Sequence, residues 1–208
     1  MMVIIKTIVR PEEHEQKGCV RSIIKDDFYP DLKIQAVTPR WYYKKAYHEK
    51  DEYSRKILLS KKGIDESEYF KSYVDKCIVA FDEEMGFSSV DLVTLIPNSD
   101  GKYYKNITEI VKFVSSKLGK TSHPVFNREP GQRTGSHRED RYKDLHGKFK
   151  IINPDKIKEK KILLIDDIRT SGISILECAD ILMKEGAKEV ISLSLGTNTS
   201  NEPPKGRA

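Results

Sequence analysis

Two carboxylates stand side by side at Asp166 and Asp167, and Thr170, Ser171, Gly172 and Ser174 follow within a few residues. Adjacent carboxylates can accept hydrogen bonds from vicinal hydroxyls. Small, hydroxyl-bearing residues at the start of a helix leave unpaired backbone N–H groups and the positive end of the helix dipole open to an anion. The two halves conflict, because the carboxylates repel the anion that the loop attracts. A phosphorylated sugar resolves the conflict, with its hydroxyls on the carboxylates and its phosphate on the loop, and the spacing fits a ribose 5-phosphate. An Asp pair also serves as turn and N-cap residues, so the flanking elements must carry the functional reading.

Those elements are legible in residues 161–179, "KILLIDDIRTSGISILECA". Ile162, Leu163, Leu164 and Ile165 show no polar alternation, which places the strand inside a sheet with both faces covered. The carboxylates then emerge at its carboxyl end, the edge where open α/β sheets bind ligands. An amphipathic helix follows over 174–184 and stops at Gly186. Arg169, beside the loop, either adds a phosphate partner or points to solvent.

The rest of the chain reads as a frame for this unit. "VDLVTLIP" (90–97) is a buried strand, and a helix over 102–118 carries Ile107, Ile110, Val111, Val114 and Leu118 at helical period, closed by Gly119. "HPVFNRE" (123–129) is a further strand, residues 130–145 are polar without a period, and "EVISLSLG" (189–196) is the last strand. This order implies βαβ units with right-handed crossovers. Upstream, "VIIKTIV" (3–9), "CVRSIIK" (19–25) and "KIQAVTP" (33–39) read as strands, with turn signals at Pro11, Pro30-Asp31 and Pro39. One helix is expected from about residue 44 to 62, stopped by Gly63, and a second from after Asp65 to about Met85. The expected fold class is α/β, a mainly parallel twisted sheet flanked by helices. A small α+β hood is expected over 1–85, the core over 86–200 and a flexible tail over 201–208.

The chain has 208 residues, 38% hydrophobic and 33% charged, which suits one sizeable soluble domain with a proper core. No apolar run is long enough for a membrane span and the start lacks a signal peptide's layout, so a cytoplasmic protein is expected. Cys19, Cys77 and Cys178 lie 58 and 101 residues apart, which fits buried or free thiols rather than a disulfide framework or metal site. His123, His137 and His146 form no helix-face pair and read as surface or loop residues. Net charge is +5, with a local excess in residues 40–62, which begin at Arg40 and end at Lys62. There eight basic residues meet three acidic ones among Trp41, Tyr42, Tyr43, Tyr47 and Tyr53. Such a patch is either a nucleic-acid surface or a solvated helix with aromatics packed beneath.

"LLIDDIRTSGIS" (163–174) resembles the phosphoribosyl-pyrophosphate (PRPP) signature of type I phosphoribosyltransferases. The resemblance implies that Asp166 and Asp167 contact the ribose 2′- and 3′-hydroxyls while Thr170, Ser171, Gly172, Ile173 and Ser174 wrap the 5-phosphate. Asn98, Ser99, Asp100, Gly101 and Lys102 look like the family's pyrophosphate loop, although an ordinary βα turn uses the same residue types. "REPGQRTGSHREDRYKDLHGKF" (128–149) is similar in layout to the catalytic flexible loop of the amidophosphoribosyltransferase-like proteins of the competence (ComF) branch. Arg128, Gln132, Arg141, Gly147 and Phe149 match that layout. The zinc cysteines of that branch are missing, so its particular function is not carried over. Resemblance covers about residues 90–196, and nothing in 1–85 matches.

What the resemblance implies is a transferase in which pyrophosphate leaves C1 of PRPP as a nitrogen nucleophile arrives. Asp166, Asp167, Arg128 and Arg141 are the expected catalytic residues. Mg2+ is the expected cofactor, held by ligand oxygens and water, with Asp166 or Asp167 touching it through water. Expected partners are PRPP and a small-molecule acceptor, no membrane, and a homodimer as an admitted assembly. The alternative is a non-catalytic PRPP or nucleotide sensor that uses residues 40–62 on nucleic acid. Acceptor choice is expected to lie in the hood.

Overall fold

The computed structural model describes residues 13–16, 18–131 and 138–199. In chain order its main elements are β1 (Glu13–Gln16), β2 (Cys19–Asp26), β3 (Tyr29–Thr38), β4 (Arg40–Tyr42), α1 (Glu52–Lys61) and α2 (Ser67–Met85). There follow β5 (Leu92–Leu95), α3 (Lys105–Leu118), β6 (Thr121–Ser122), β7 (Phe126–Arg128), α4 (Arg138–Leu145) and β8 (Phe149–Ile151). The chain closes with β9 (Lys161–Arg169), α5 (Ile173–Lys184) and β10 (Glu189–Asn198). The expected strand at 3–9, the turn at Pro11, Gln132, His137 and the tail over 201–208 lie outside the described residues.

One twisted sheet runs in the order β1-β2-β3-β10-β9-β5-β6, with β4 also on β10, and β7 and β8 form a separate ribbon. Within this sheet the pairings of β3, β4 and β9 with β10, and of β5 with β9 and β6, are parallel, and among the described residues β1-β2 and β2-β3 are its antiparallel pairs. The fold is thus mixed α/β with a mainly parallel sheet. Helices cover both faces, as parallel strands require. On one face, Val93, Leu95, Leu163, Ile165 and Leu193 pack against Tyr53, Ile57, Phe70, Val74, Ile110 and Val114. On the other, Leu92, Ile162, Leu164 and Val190 pack against Ile173, Leu176, Ala179 and Leu182.

The first of these cores is built from both sides of the expected division at residues 85 and 86. Val37, Tyr53, Phe70 and Cys77 from the first part share it with Val93, Ile110, Leu163 and Leu193 from the second. β3 and β4 are hydrogen-bonded into the same sheet as β10.

Three local readings change as well. The turn between β2 and β3 falls at Asp27 and Phe28, where Phe28 N–H donates to Asp26 Oδ1 at 3.0 Å, and Pro30-Asp31 lies inside β3. The register of the pair shifts between Ile24 and Asp26, so this irregular stretch tolerates a proline. Pro39 interrupts but does not reverse the chain, because β3 and β4 both run parallel to β10. The helix expected over 44–62 is a 3-10 turn (Lys45–Tyr47) and then α1, since the extended Asp51 caps α1 by accepting Ser54 N–H at 2.8 Å. Of the aromatics in residues 40–62, Tyr53 and Tyr43 pack inward, 1% and 7% exposed, while Trp41, Tyr42 and Tyr47 are half-buried.

Cys19, Cys77 and Cys178 are buried free thiols. Among the described residues no helix is long and apolar enough to cross a membrane. Loss of the cap is the simplest test of how α1 is held. Asp51→Ala is expected to cost about 1 kcal/mol in denaturant unfolding, and Asp51→Asn less. An unchanged midpoint in Asp51→Ala contradicts the cap.

Candidate functional site

β9 and β5 do not end together. Their last paired residues are Ile165 and Leu95, and Ile96 N–H still reaches the Ile165 carbonyl at 2.9 Å. β9 continues beside β10 as far as Arg169 opposite Thr197. Asp166 and Asp167 therefore stand at a step in the sheet, where the neighbour on one side has stopped. A cleft of about 540 Å³ opens there.

Successive strand residues face opposite sides, and the two carboxylates differ accordingly. Asp167 Oδ2 is 3.2 Å from Lys61 Nζ at the end of α1. Asp166 Oδ1 accepts the Asp167 N–H at 2.9 Å. Burial, reinforced by the charge of Asp167, pushes the Asp166 carboxyl up to about 7, against the pull of Lys61 and Arg141. Asp166 can therefore hold or release a proton near neutrality.

Beyond the carboxylates, Gly172 opens α5 with φ of 81°, and an added Cβ would come 2.5 Å from Ile24 Cγ2. The position excludes side chains by both conformation and space. Ile173, 1% exposed, roots the helix start in the core. The side chains of Thr170 and Ser174 line the cleft, whereas Ser171, Gly172 and Ile173 are not on its wall. The last three hold the bend; Ser171 Oγ lies 3.4 Å from the Ile173 N–H.

Asn98 and Ser99 form another part of the wall, and Asp100, Gly101 and Lys102 do not reach it. That loop is closed on itself. Asn98 N–H donates to the Lys102 carbonyl, Gly101 N–H to the Asn98 carbonyl, both at 2.9 Å, and Lys102 N–H to Asp100 Oδ1 at 3.1 Å. A Cβ on Gly101, where φ is 77°, would sit 2.7 Å from the Arg128 carbonyl, so the loop docks tightly on β7. Gly131 N–H in turn donates to the Ser99 carbonyl at 3.1 Å.

Arg128 and Arg141 also line the cleft. Arg128 Nη1 donates to the Pro97 carbonyl at 3.2 Å, and its guanidinium lies 5.1 Å from the centre of the Phe149 ring. Arg141 sits on α4, a regular helix within the stretch expected to be an aperiodic loop. Its foot is pinned by Glu177, 3% exposed, which accepts from Tyr29 Oη and from Gly147 N–H at 2.9 Å, with His146 Nδ1 at 3.3 Å. Tyr142 stacks between Phe28 and His146, with ring centroids 4.2 and 4.8 Å away. Gly147 and Phe149 are thus supports, the first for α4 and the second for Arg128.

Several lining residues had no signal for this cleft in the sequence: Tyr104, Asp144 and Asn198, and also Tyr42 and Lys61, which stood out only as part of the basic and aromatic stretch at 40–62. Burial and the charge of Asp167 raise the Tyr42 phenol above its ordinary value. Arg169 does not point to solvent, since it is 1% exposed, and it is not on the cleft wall.

No family model matches the chain, and no curated protein matches it. One solved structure, described as that of the allosteric regulatory enzyme of purine biosynthesis, is similar over 51% of this chain at 17% identity and a TM-score of 0.37. The match covers 22% of that chain's own length.

The proton held by Asp166 makes stability depend on pH. Its affinity is higher in the folded than in the unfolded chain, where the ordinary value is 3.8. The contribution is therefore fully present below about pH 4 and lost as pH rises through about 7. Asp166→Asn should flatten this fall and be more stable at pH 8 by on the order of 2 kcal/mol. Unfolding midpoints that fall equally with pH in both proteins contradict the assignment.

Proposed function

We propose that the protein binds PRPP in the cleft beside β9 and transfers its phosphoribosyl group to a nitrogen nucleophile, releasing pyrophosphate. The observation that carries this reading is the convergence of distant stretches on one cleft: Asp166, Asp167, Thr170 and Ser174 with Asn98, Ser99, Arg128 and Arg141. The resemblance of residues 163–174 to the type I phosphoribosyltransferase signature supports the same reading.

In this reading the ribose hydroxyls bond to Asp166 and Asp167. The 5-phosphate rests against the hydroxyls of Thr170 and Ser174 and the first amides of α5, where backbone donors and the helix dipole favour an anion. Pyrophosphate lies toward Asn98 and Ser99, with Arg128 and Arg141 offering charge to it. As the C1–O bond breaks, its electron pair leaves with pyrophosphate and the nitrogen lone pair forms the C1–N bond; the nitrogen proton passes to solvent. Positive charge on the ring in the transition state is stabilised by the carboxylates, so catalysis is placement and electrostatics.

A magnesium ion fits this site as a companion of the ligand. Among the described residues no three His, Cys, Asp or Glu side chains gather to hold a metal. Lys61 is on Asp167 and the Asp166 carboxyl keeps its proton to about 7, so either residue would touch an ion through water. The ion would neutralise charge on the leaving group. Acceptor choice is assigned to the first part of the chain, whose Tyr42 lines the cleft.

Pyrophosphate release from PRPP with a panel of nitrogen acceptors tests the transferase; binding without release with every acceptor identifies a sensor instead. Asp166→Asn combined with Asp167→Asn should abolish the heat of PRPP binding with an unchanged circular dichroism spectrum. Full affinity in that variant removes the sugar assignment. Arg141→Ala should slow turnover by about 100-fold while weakening PRPP binding much less, and an unchanged rate shows that α4 does not serve the reaction.

A further inference from the structure

Lys61 is the last residue of α1, and α1 is firmly held. Tyr53 Oη donates to the Leu195 carbonyl at 2.6 Å, and Ile57 packs so closely on β10 that a Cβ on Gly196 would lie 2.8 Å from its Cδ1. The end of the helix is therefore fixed, and the adjustable part is the side chain. Lys61 and Asp167 are paired at 3.2 Å with side chains 41% and 31% exposed. A pair so open to water gains little from its own attraction, so the ammonium can change partner at small cost.

Among the described residues three carboxylates line the cleft, Asp144, Asp166 and Asp167, and three cations, Lys61, Arg128 and Arg141. Without Lys61 only Arg128 and Arg141 among these lining residues would offer positive charge to an anion, against Asp144 and the acidic pair. Arg128 already donates to the Pro97 carbonyl and lies over Phe149. Lys61, Asn98, Tyr104 and Asp167 also line a small recess of about 20 Å³ beside the cleft, which puts Lys61 on the side of the loop at residues 98–102. A flexible ammonium with three donors can serve Asp167 and a neighbouring anion by turns.

We propose that Lys61 is an anion-binding residue of this cleft: it pairs with Asp167 when no ligand is bound and donates to the pyrophosphate group when one is. The inference rests on the PRPP reading and adds to it a residue from the part of the chain outside the resemblance. It also gives α1 a function, which is to bring a cation to the acidic pair from the opposite end of the sequence.

Calorimetric titration of the full chain with inorganic pyrophosphate and magnesium chloride tests it. Lys61→Met should bind about tenfold more weakly or worse, as expected for the loss of a charge-assisted hydrogen bond, and Lys61→Arg should recover most of the affinity. The same loss should appear when Lys61→Met is made in an Asp167→Asn background, because the contact is with the ligand. Binding equal to the unaltered chain overturns the proposal. So does a loss that vanishes in the Asp167→Asn background, which would mean that Lys61 only screens the carboxylate. If the unaltered chain binds neither pyrophosphate nor PRPP, the PRPP reading falls and the proposal falls with it; binding by the unaltered chain with no effect of Lys61→Met overturns the proposal alone.

Discussion

Two neighbouring carboxylates at the end of a buried strand repel each other and lose water, and much of the molecule is arranged to tolerate that. β9 is committed to the interior by four consecutive apolar residues, Ile162 to Ile165, each 0% exposed. It outruns β5 and leaves Asp166 and Asp167 at a step beside the cleft. The compensation is divided. Asp167 takes Lys61 as counter-ion, and Asp166 keeps a proton to about 7 because burial and Asp167 oppose its charge. In the proposed reading an acidic pair can face an anion because one carboxylate is paired with a cation and the other can hold a proton.

The surroundings of the pair follow from the same demand for rigidity. The bend after β9 is locked by Gly172 against Ile24, which joins the candidate phosphate site to β2 at the far side of the sheet. Loop 98–102 is closed by its own amides and seated on β7 through Gly101. α4 is seated by the buried Glu177, whose donors come from β3 and from the turn after α4. Cleft residues on loops and short helices are thus backed by buried contacts, which is how polar groups keep fixed positions at an open edge.

Legibility in the sequence followed how local the determinant was. The apolar strand, the Asp pair, the hydroxyl bend and α5 are contiguous, so the order of residues carries their geometry. α3 was visible because Ile107, Ile110, Val111 and Val114 repeat at helical period. α4 was not, since its apolar contacts are Tyr142 and Leu145 in an otherwise charged helix, and its anchor Glu177 lies 30 residues from Gly147. Pro30 misled because an irregular strand pairing accepts a proline where a regular one would not. Lys61 and Tyr42 had no motif at all. They reach the cleft through the parallel pairing of β4 with β10 and the packing of α1, which join residues far apart in the chain. Val37, Tyr53 and Phe70 likewise share a core with Val93, Leu163 and Leu193 across residues 85 and 86.

In the proposed reading the acidic pair and the bend behind it hold the two ends of one sugar phosphate. A crystal structure with PRPP and magnesium tests it most directly. The ribose hydroxyls are expected within hydrogen-bond distance of Asp166 and Asp167, and the 5-phosphate at Thr170, Ser174 and the first amides of α5. A 5-phosphate bound instead at Asn98 and Ser99, or a ribose that leaves both carboxylates without a hydroxyl, would contradict it.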